Sequence, residues 1–338
     1  MFIQPNKPTP EEREDQRKKT WNSFTSFVIT VIVIRVVSQL VRYPVNHRIN
    51  QTLEMSTSIN EFNDILNAEV HIDLDKLRES SRHGVPMEIR GDVWKYLLGV
   101  NPADRSQELT SVKIKSEEYN AIEKEYIEIN KRIRGEVGRY QKIKNLDDTN
   151  GYKQIFENVI GAYLNHNRDV DYHPALVHLC APFVYCMKNE YEVYYCFTRL
   201  MSTLDEYNSV HKINERVANF MTLLRAVIPD LCNYFEEEEV DINEWASSWL
   251  QNLFAKELQF ENLLRLWDTY FSIDDPIGFH PYVCLAVLKN ARENLEDLEQ
   301  SEIRTSLLNL PLMDMEQIIN QAFNIHHEIL EKQISDSL

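Results

Sequence analysis

Apolar residues in the central part of the chain recur every three or four positions, the spacing that places side chains on one face of a helix. The clearest run comprises Tyr119, Ile122, Tyr126, Ile129 and Ile133. Acidic and basic residues lie between these positions and would face water. The pattern predicts one amphipathic helix that reaches about residue 133.

Two glycines, Gly135 and Gly138, follow this run. Glycine costs about 1 kcal/mol relative to alanine inside a helix, so the sequence predicts that the helix ends here and that Arg139 lies in a glycine-flanked turn. Further basic residues are nearby: Lys131, Arg132, Arg134, Lys142 and Lys144. Together they predict a cationic tip suited to an anionic partner, with a phosphate as the sharpest candidate. The alternative is an ordinary solvated helix end, since cations there offset the helix dipole.

A second helix is predicted to begin at Pro86, because the missing N–H of proline costs nothing in a first helical turn. Ile89, Val93 and Leu97 share its apolar face, and Gly99 is its predicted stop. This segment therefore predicts a capped helix that faces the core.

Further along the chain, helical spacing places four tryptophans in the predicted core: Trp94, Trp245, Trp249 and Trp267. Arg265 and Asp268 are three residues apart and are predicted to form an ion pair on one helix. The acidic run at residues 236–239 is predicted to be a solvated loop.

Composition narrows the class of protein. The 338 residues include only eight glycines, with neither a G-x-G-x-x-G nor a G-x-x-x-x-G-K-[ST] pattern, so no nucleotide cradle is predicted. Scarce glycine and few turn signals favour an all-α fold. A net charge of −17 argues against nucleic acid as the main partner. Five cysteines without a C-x-x-C pair predict reduced core thiols, and no metal site is predicted.

The first 75 residues are predicted to form an amino-terminal extension. Residues 1–20 are charged and proline-containing and predict disorder. Phe24 to Val41 is rich in Val and Ile but is interrupted by Arg35, and residues 1–50 carry eight Lys or Arg against four Asp or Glu. This apolar segment could pack on the main domain, attach to an anionic membrane surface or span a membrane.

Five sequence blocks, taken together, resemble the TBC family, all-helical activators of Rab-type small GTPases. Residues 84–99 read G-V-P-x-x-x-R-x-x-V-W-x-x-L-L-G, and residues 133–139 read I-x-x-E-x-x-R. They are followed by the segment 156–163, by a W…LF…LWD block over 249–268, and by the closing segment 308–322. The resemblance covers residues 79–325, which predicts a single large helical domain followed by a helical tail at 326–338.

The resemblance implies a GTPase-activating protein that regulates vesicle trafficking. Arg139 would be an arginine finger inserted into a Rab-family GTPase, and Glu136 would hold its guanidinium. Residues expected to contact the GTPase are Arg134, Tyr172, His173 and Pro174. GTP and Mg²⁺ would belong to the partner, so no cofactor of this chain is expected. The expected location is cytoplasmic. Peripheral attachment to an endomembrane through Phe24 to Val41 is one alternative for that segment, and packing on the domain is another.

The chain departs from the family at the second motif, Y-x-Q, whose glutamine orients the attacking water. Tyr172-His173-Pro174 stands there, and proline has no side-chain amide. A helix start at Pro174 is also predicted. Two functions remain open: a GTPase activator that relies on Arg139 and on the glutamine of the GTPase, or an impaired adaptor or complex subunit that binds without accelerating hydrolysis.

Overall fold

The structure is a computed structural model, and it describes residues 59–124, 127–146 and 151–336. Apart from one isolated bridge between His71 and Asp104, all the regular structure in these ranges is helical, which confirms the predicted all-α class. Its helices are α1 (residues 59–66), α2 (Leu74–Ser81), α3 (Met87–Leu97), α4 (Glu108–Ala121), α5 (Ile127–Lys144), α6 (Tyr152–His166), α7 (Ala175–Cys186), α8 (Glu190–Val210), α9 (Ile213–Val227), α10 (Pro229–Glu237), α11 (Ile242–Asn252), α12 (Phe260–Ser272), α13 (Pro276–Leu295), α14 (Gln300–Leu308) and α15 (Met315–Asp336).

The core forms around the four predicted tryptophans, all of which are fully buried. Trp94 of α3 and Trp267 of α12 lie with ring centroids 6.4 Å apart, and Trp245 and Trp249 of α11 lie 4.7 Å apart. Large aromatic side chains remove the most apolar surface from water per residue. The prediction that these positions form the core is confirmed.

Helix α3 begins and ends as the sequence predicts. Pro86 is its N-cap, and Gly99 follows its end in the left-handed region with φ +70°. The predicted ion pair further along the chain is wrong in its partner, however. Asp268 is fully buried and accepts from Arg90 Nε at 3.0 Å and Trp94 Nε1 at 2.8 Å, while Arg265 pairs with Glu316 of α15.

The predicted helix from Tyr119 to Ile133 is wrong, because it is two helices. α4 ends at Ala121, and Ile122 is extended with ψ 134°. α5 then runs without a break through Gly135 and Gly138 to Lys144.

The predicted helix end at the glycines is therefore also wrong, and burial explains why. Ile133, Val137 and Tyr140 recur at steps of four and three on the inner face of α5, and each is fully buried. Burying a large apolar side chain contributes about 1.5 to 3 kcal/mol, against about 1 kcal/mol lost at each glycine. Packing outweighs the local preference, so Arg139 lies within the helix and not in a turn.

The acidic run at residues 236–239 is only partly a loop. Glu236 and Glu237 form the last residues of α10, and Glu236 pairs with Arg225 of α9 at 2.6 Å. The neighbouring cation and the buried Phe235 hold this segment in the helix.

The predicted disorder of residues 1–20 and the apolar segment Phe24 to Val41 lie outside the described residues. Within the described ranges, none of the helices combines the length and the hydropathy needed to cross a membrane.

Candidate functional site

The exposed side of α5 presents Arg139 one turn after Glu136. Arg139 Nε donates to Glu136 Oε2 at 3.0 Å, and Nη2 contacts the same oxygen. The Arg139 side chain is 67% exposed, whereas the Glu136 side chain is 11% exposed. The carboxylate is thus fixed in the protein, and it holds one edge of a guanidinium that faces solvent.

A second residue, His178 of α7, fixes Glu136 from the inner side. His178 Nε2 lies 3.1 Å from Glu136 Oε1, and the His178 ring packs edge-on against Tyr140. Burial lowers the pKa of His178, although the neighbouring Glu136 carboxylate opposes that shift. A neutral imidazole that satisfies this contact carries its hydrogen on Nε2, and this N–H donates a hydrogen bond to Glu136 Oε1.

The charge state of Glu136 follows from these contacts. Burial alone would raise the pKa of Glu136, but hydrogen bonds from Arg139 and His178 outweigh it, and the net pKa is lowered. Glu136 is therefore ionised at neutral pH and pairs with Arg139 as a carboxylate. His178 was not predicted as a site residue. Its position within the apolar run of α7 was the only available signal, and its partner lies 42 residues away.

The second predicted motif lies beside the first. Tyr172, His173 and Pro174 immediately precede α7, with Pro174 as its N-cap at φ −57° and ψ −29°, so the predicted helix start is confirmed. The Arg132 guanidinium of α5 covers the Tyr172 ring at 4.7 Å. Tyr172 is buried, whereas His173 and Pro174 are exposed. The fold therefore brings the two sequence motifs together at one edge of α5.

Besides Arg132, two more of the basic residues predicted to form the cationic tip have structural contacts. Arg134 donates through both Nε and Nη2 to Glu157 of α6, each at 2.7 Å. Lys144 is buried and donates to the carbonyl oxygens of Lys256 at 2.9 Å and Leu258 at 2.6 Å. The prediction that Lys144 belongs to an exposed tip is wrong, because α5 continues and turns this residue toward the core.

No cluster of three or more His, Cys, Asp or Glu side chains within the described ranges could hold a metal ion. The five cysteines form no disulfide, and four of them are buried. Burial raises the pKa of Cys180 well above its ordinary value. These thiols therefore behave as apolar core groups.

The helical fold is that of a Rab-GTPase-TBC type of domain. The sequence model described as the Rab-GTPase-TBC domain matches residues 87–296, and the chain belongs to this family. A second model, described as mitochondrial import receptor subunit or translocase, matches residues 1–37.

Curated relatives and solved structures agree with this assignment. "GTPase-activating protein gyp1" of Schizosaccharomyces pombe is 24% identical over 331 residues, covering 85% of this chain and 64% of the relative. "TBC1 domain family member 22B" of Homo sapiens is 26% identical over 298 residues, covering 77% of this chain and 58% of the relative. The chain thus spans about 60% of the length of these relatives.

Two crystal structures share the fold. The Ypt/Rab-GAP domain of Gyp1p aligns with a TM-score of 0.64 at 23% identity, covering 80% of this chain and 97% of that domain. The Chlamydomonas flagellar RabGAP TBC domain aligns with a TM-score of 0.57 at 22% identity, covering 74% and 84%.

Proposed function

We propose that this chain stimulates GTP hydrolysis by a Rab-family GTPase by inserting Arg139 next to the terminal phosphate. The observation that carries this proposal is the geometry of Arg139, whose guanidinium is 67% exposed while Glu136 anchors its Nε edge. A long arginine side chain that is already oriented loses less conformational entropy when it enters a partner. Through this activity the protein would regulate vesicle trafficking.

The chemistry requires no cofactor of this chain, because GTP and Mg²⁺ are held by the GTPase. As the terminal phosphoryl group departs, negative charge on its oxygens needs stabilisation, and an inserted arginine typically accelerates hydrolysis by about 10³ to 10⁵. A guanidinium has five N–H donors. Glu136 engages the Nε and Nη2 nitrogens, so donors on Nη1 stay available for phosphoryl oxygens.

Pro174 limits what this site can supply. It stands where the family has a water-orienting glutamine, and its ring offers no amide. The attacking water would therefore be oriented by the glutamine of the GTPase itself, as in small GTPases that carry their own. We expect a weaker or more selective activator than a domain that supplies both the arginine and the glutamine.

A second function, an adaptor that binds a GTPase without accelerating it, is favoured by the same Pro174. It would use the exposed rim formed by His173, Pro174 and α5 as a binding surface only. The two functions differ in whether Arg139 affects turnover.

The test is GTP turnover across a panel of purified Rab GTPases. We expect at least one member to be stimulated, and Arg139→Ala to remove about 10³-fold or more of that stimulation. Arg225→Ala is the matched control, because Arg225 is also an exposed arginine paired with one carboxylate; it should leave turnover unchanged. Binding without stimulation by the unmodified chain would establish the adaptor function instead.

We also propose that the protein is cytoplasmic and attaches to a membrane surface through Phe24 to Val41. The apolar and basic composition of this segment supports the proposal, as does the match of residues 1–37 to a model described as a mitochondrial import receptor subunit or translocase. Deleting residues 1–45 should move the protein from the membrane fraction to the soluble fraction. An unchanged partition would refute this attachment, and fractionation would distinguish mitochondria from other endomembranes.

A further inference from the structure

Gly135 and Gly138 lie on the exposed face of α5, four residues and one residue before Arg139. A Cβ atom added at either position would meet nothing within 4 Å. Neither glycine is among the positive-φ residues, so the backbone conformation does not require glycine. Glycine destabilises a helix relative to alanine, yet no contact in the described part of the chain requires glycine at these two positions.

Other helical glycines of this protein have a visible packing reason. A Cβ at Gly91 would lie 2.3 Å from the Cys186 carbonyl oxygen, and a Cβ at Gly161 would lie 2.6 Å from the Lys124 carbonyl oxygen. In both cases another stretch of main chain crosses close to the helix. By the same logic, Gly135 and Gly138 fit a main-chain segment that comes from outside the chain.

The charge around these glycines is opposite to that of the whole protein. The exposed residues of α5 include Lys131, Arg132, Arg139 and Lys142. Together with Gly135 and Gly138 they recur at steps of three and four, so they share one helical face. Lys131 and Lys142 have no carboxylate partner within the described residues. On a chain of net charge −17, this face attracts an acidic surface.

An unpaired buried group adjoins the same face. Tyr172 is only 9% exposed, and its hydroxyl has no hydrogen-bond partner in the described structure. Arg132 stacks on its ring, and the charges of Glu136 and Arg139 act on it. Buried hydroxyls are usually hydrogen-bonded, so Tyr172 leaves one unsatisfied polar group beside Arg132 at the edge of this face.

We propose that this face docks the main chain of an acidic loop of the GTPase partner. We call it the α5 glycine face and define it as Lys131, Arg132, Gly135, Gly138, Arg139 and Lys142. The loop backbone packs where the two glycines lack a Cβ, and its carboxylates pair with Lys131 and Lys142. The inference rests on the proposed function, because it names the surface by which the same site binds its partner.

A polypeptide partner accounts for the glycines better than an anionic membrane does. Lipid headgroups are mobile and are attracted by charge alone, so an added Cβ would not hinder them. A folded loop packs closely, and a side chain in its path raises the energy of the complex.

The experiment separates binding from chemistry by steady-state kinetics on GTP-loaded Rab GTPases. Gly135→Leu should raise the KM for the GTPase about 30-fold or more while kcat stays within about twofold. A large side chain at this position weakens binding of the GTPase equally in the ground state and in the transition state. Gly135→Ala should raise the thermal midpoint by about 2 to 4 °C and yet raise KM several-fold. Arg139→Ala should instead lower kcat.

Ala218→Leu is the matched control, since Ala218 is an exposed residue in the interior of α9. It should change neither KM nor kcat. Lys131→Glu with Lys142→Glu should raise KM most strongly at low salt.

The outcomes distinguish the docking inference from the activator function. A Gly135→Leu protein that stimulates hydrolysis with the KM of the unmodified chain overturns the docking inference and leaves the activator function standing. The docking inference is also overturned if the charge-reversed protein keeps the KM of the unmodified chain but no longer binds vesicles containing phosphatidylserine. That result would assign the face to a membrane. An unmodified chain that neither binds nor stimulates any Rab of the panel overturns both proposals.

Discussion

Replacing Pro174 by glutamine tests whether the second catalytic group can be restored. The backbone already suits glutamine: Pro174 has φ −57° and ψ −29°, which any residue adopts, and it is exposed at the N-cap of α7. The substitution therefore introduces a side-chain amide without a clash at the start of the helix.

The size of the effect can be estimated for stability and for activity. Losing a proline from a compatible position costs about 0.4 to 1 kcal/mol through the unfolded chain, which lowers the thermal midpoint by about 1 to 4 °C for a domain of this size. A positioned donor at a reacting centre is typically worth about 10² to 10³ in kcat. Because the GTPase glutamine already orients the water in our proposal, we expect a smaller gain of about 10- to 100-fold.

The assay is single-turnover phosphate release from a GTPase that the unmodified chain stimulates. Pro229→Gln is the matched control, because Pro229 is an exposed proline in the first turn of α10. It should lower the thermal midpoint to a similar extent and leave turnover unchanged.

A second arm uses a GTPase whose own water-orienting glutamine has been replaced by leucine. The unmodified chain should fail to stimulate it, whereas Pro174→Gln should restore stimulation. If Pro174→Gln gives no gain on either GTPase while KM is retained, the start of α7 does not point a side chain at the reacting water, and our reasoning is refuted.

Three further predictions concern single side chains. Glu136→Ala should lower kcat about 10- to 100-fold with little change in KM, because Arg139 loses the group that orients it; an unchanged kcat in the turnover assay would contradict this role. Asp268→Ala should destabilise the fold by about 3 to 5 kcal/mol in urea unfolding, because it leaves Arg90 without its buried partner; a loss below about 1 kcal/mol would contradict this estimate. Burial lowers the pKa of His280 to about 3, so the unfolded chain binds a proton below about pH 6.5 while the folded chain does not. Stability should then fall by up to about 1.4 kcal/mol per pH unit from pH 6.5 toward pH 3, and His280→Gln should flatten that slope in acid titrations.

How far the site could be predicted depends on how local its contacts are. Glu136 and Arg139 are three residues apart, so the continuous helix α5 places them side by side. The resemblance to the TBC family implied this pairing, although the glycines had predicted that Arg139 lies in a turn. The contact from His178 to Glu136 joins α5 to α7, and no periodicity in either segment encodes the distance between two helices. The pairing of Asp268 with Arg90 is missed for the same reason: an available partner three residues away gave a local alternative.

The sequence alone determined the helical class, the tryptophan core, the start of α3 at Pro86 and the start of α7 at Pro174. These features depend on periodicity and on backbone preferences, which act over a few residues. The tertiary structure decided the rest. It carried α5 through Gly135 and Gly138, because burying one face of the helix contributes more than two glycines cost, and that continuation turned Lys144 inward and left Arg139 on the outer face.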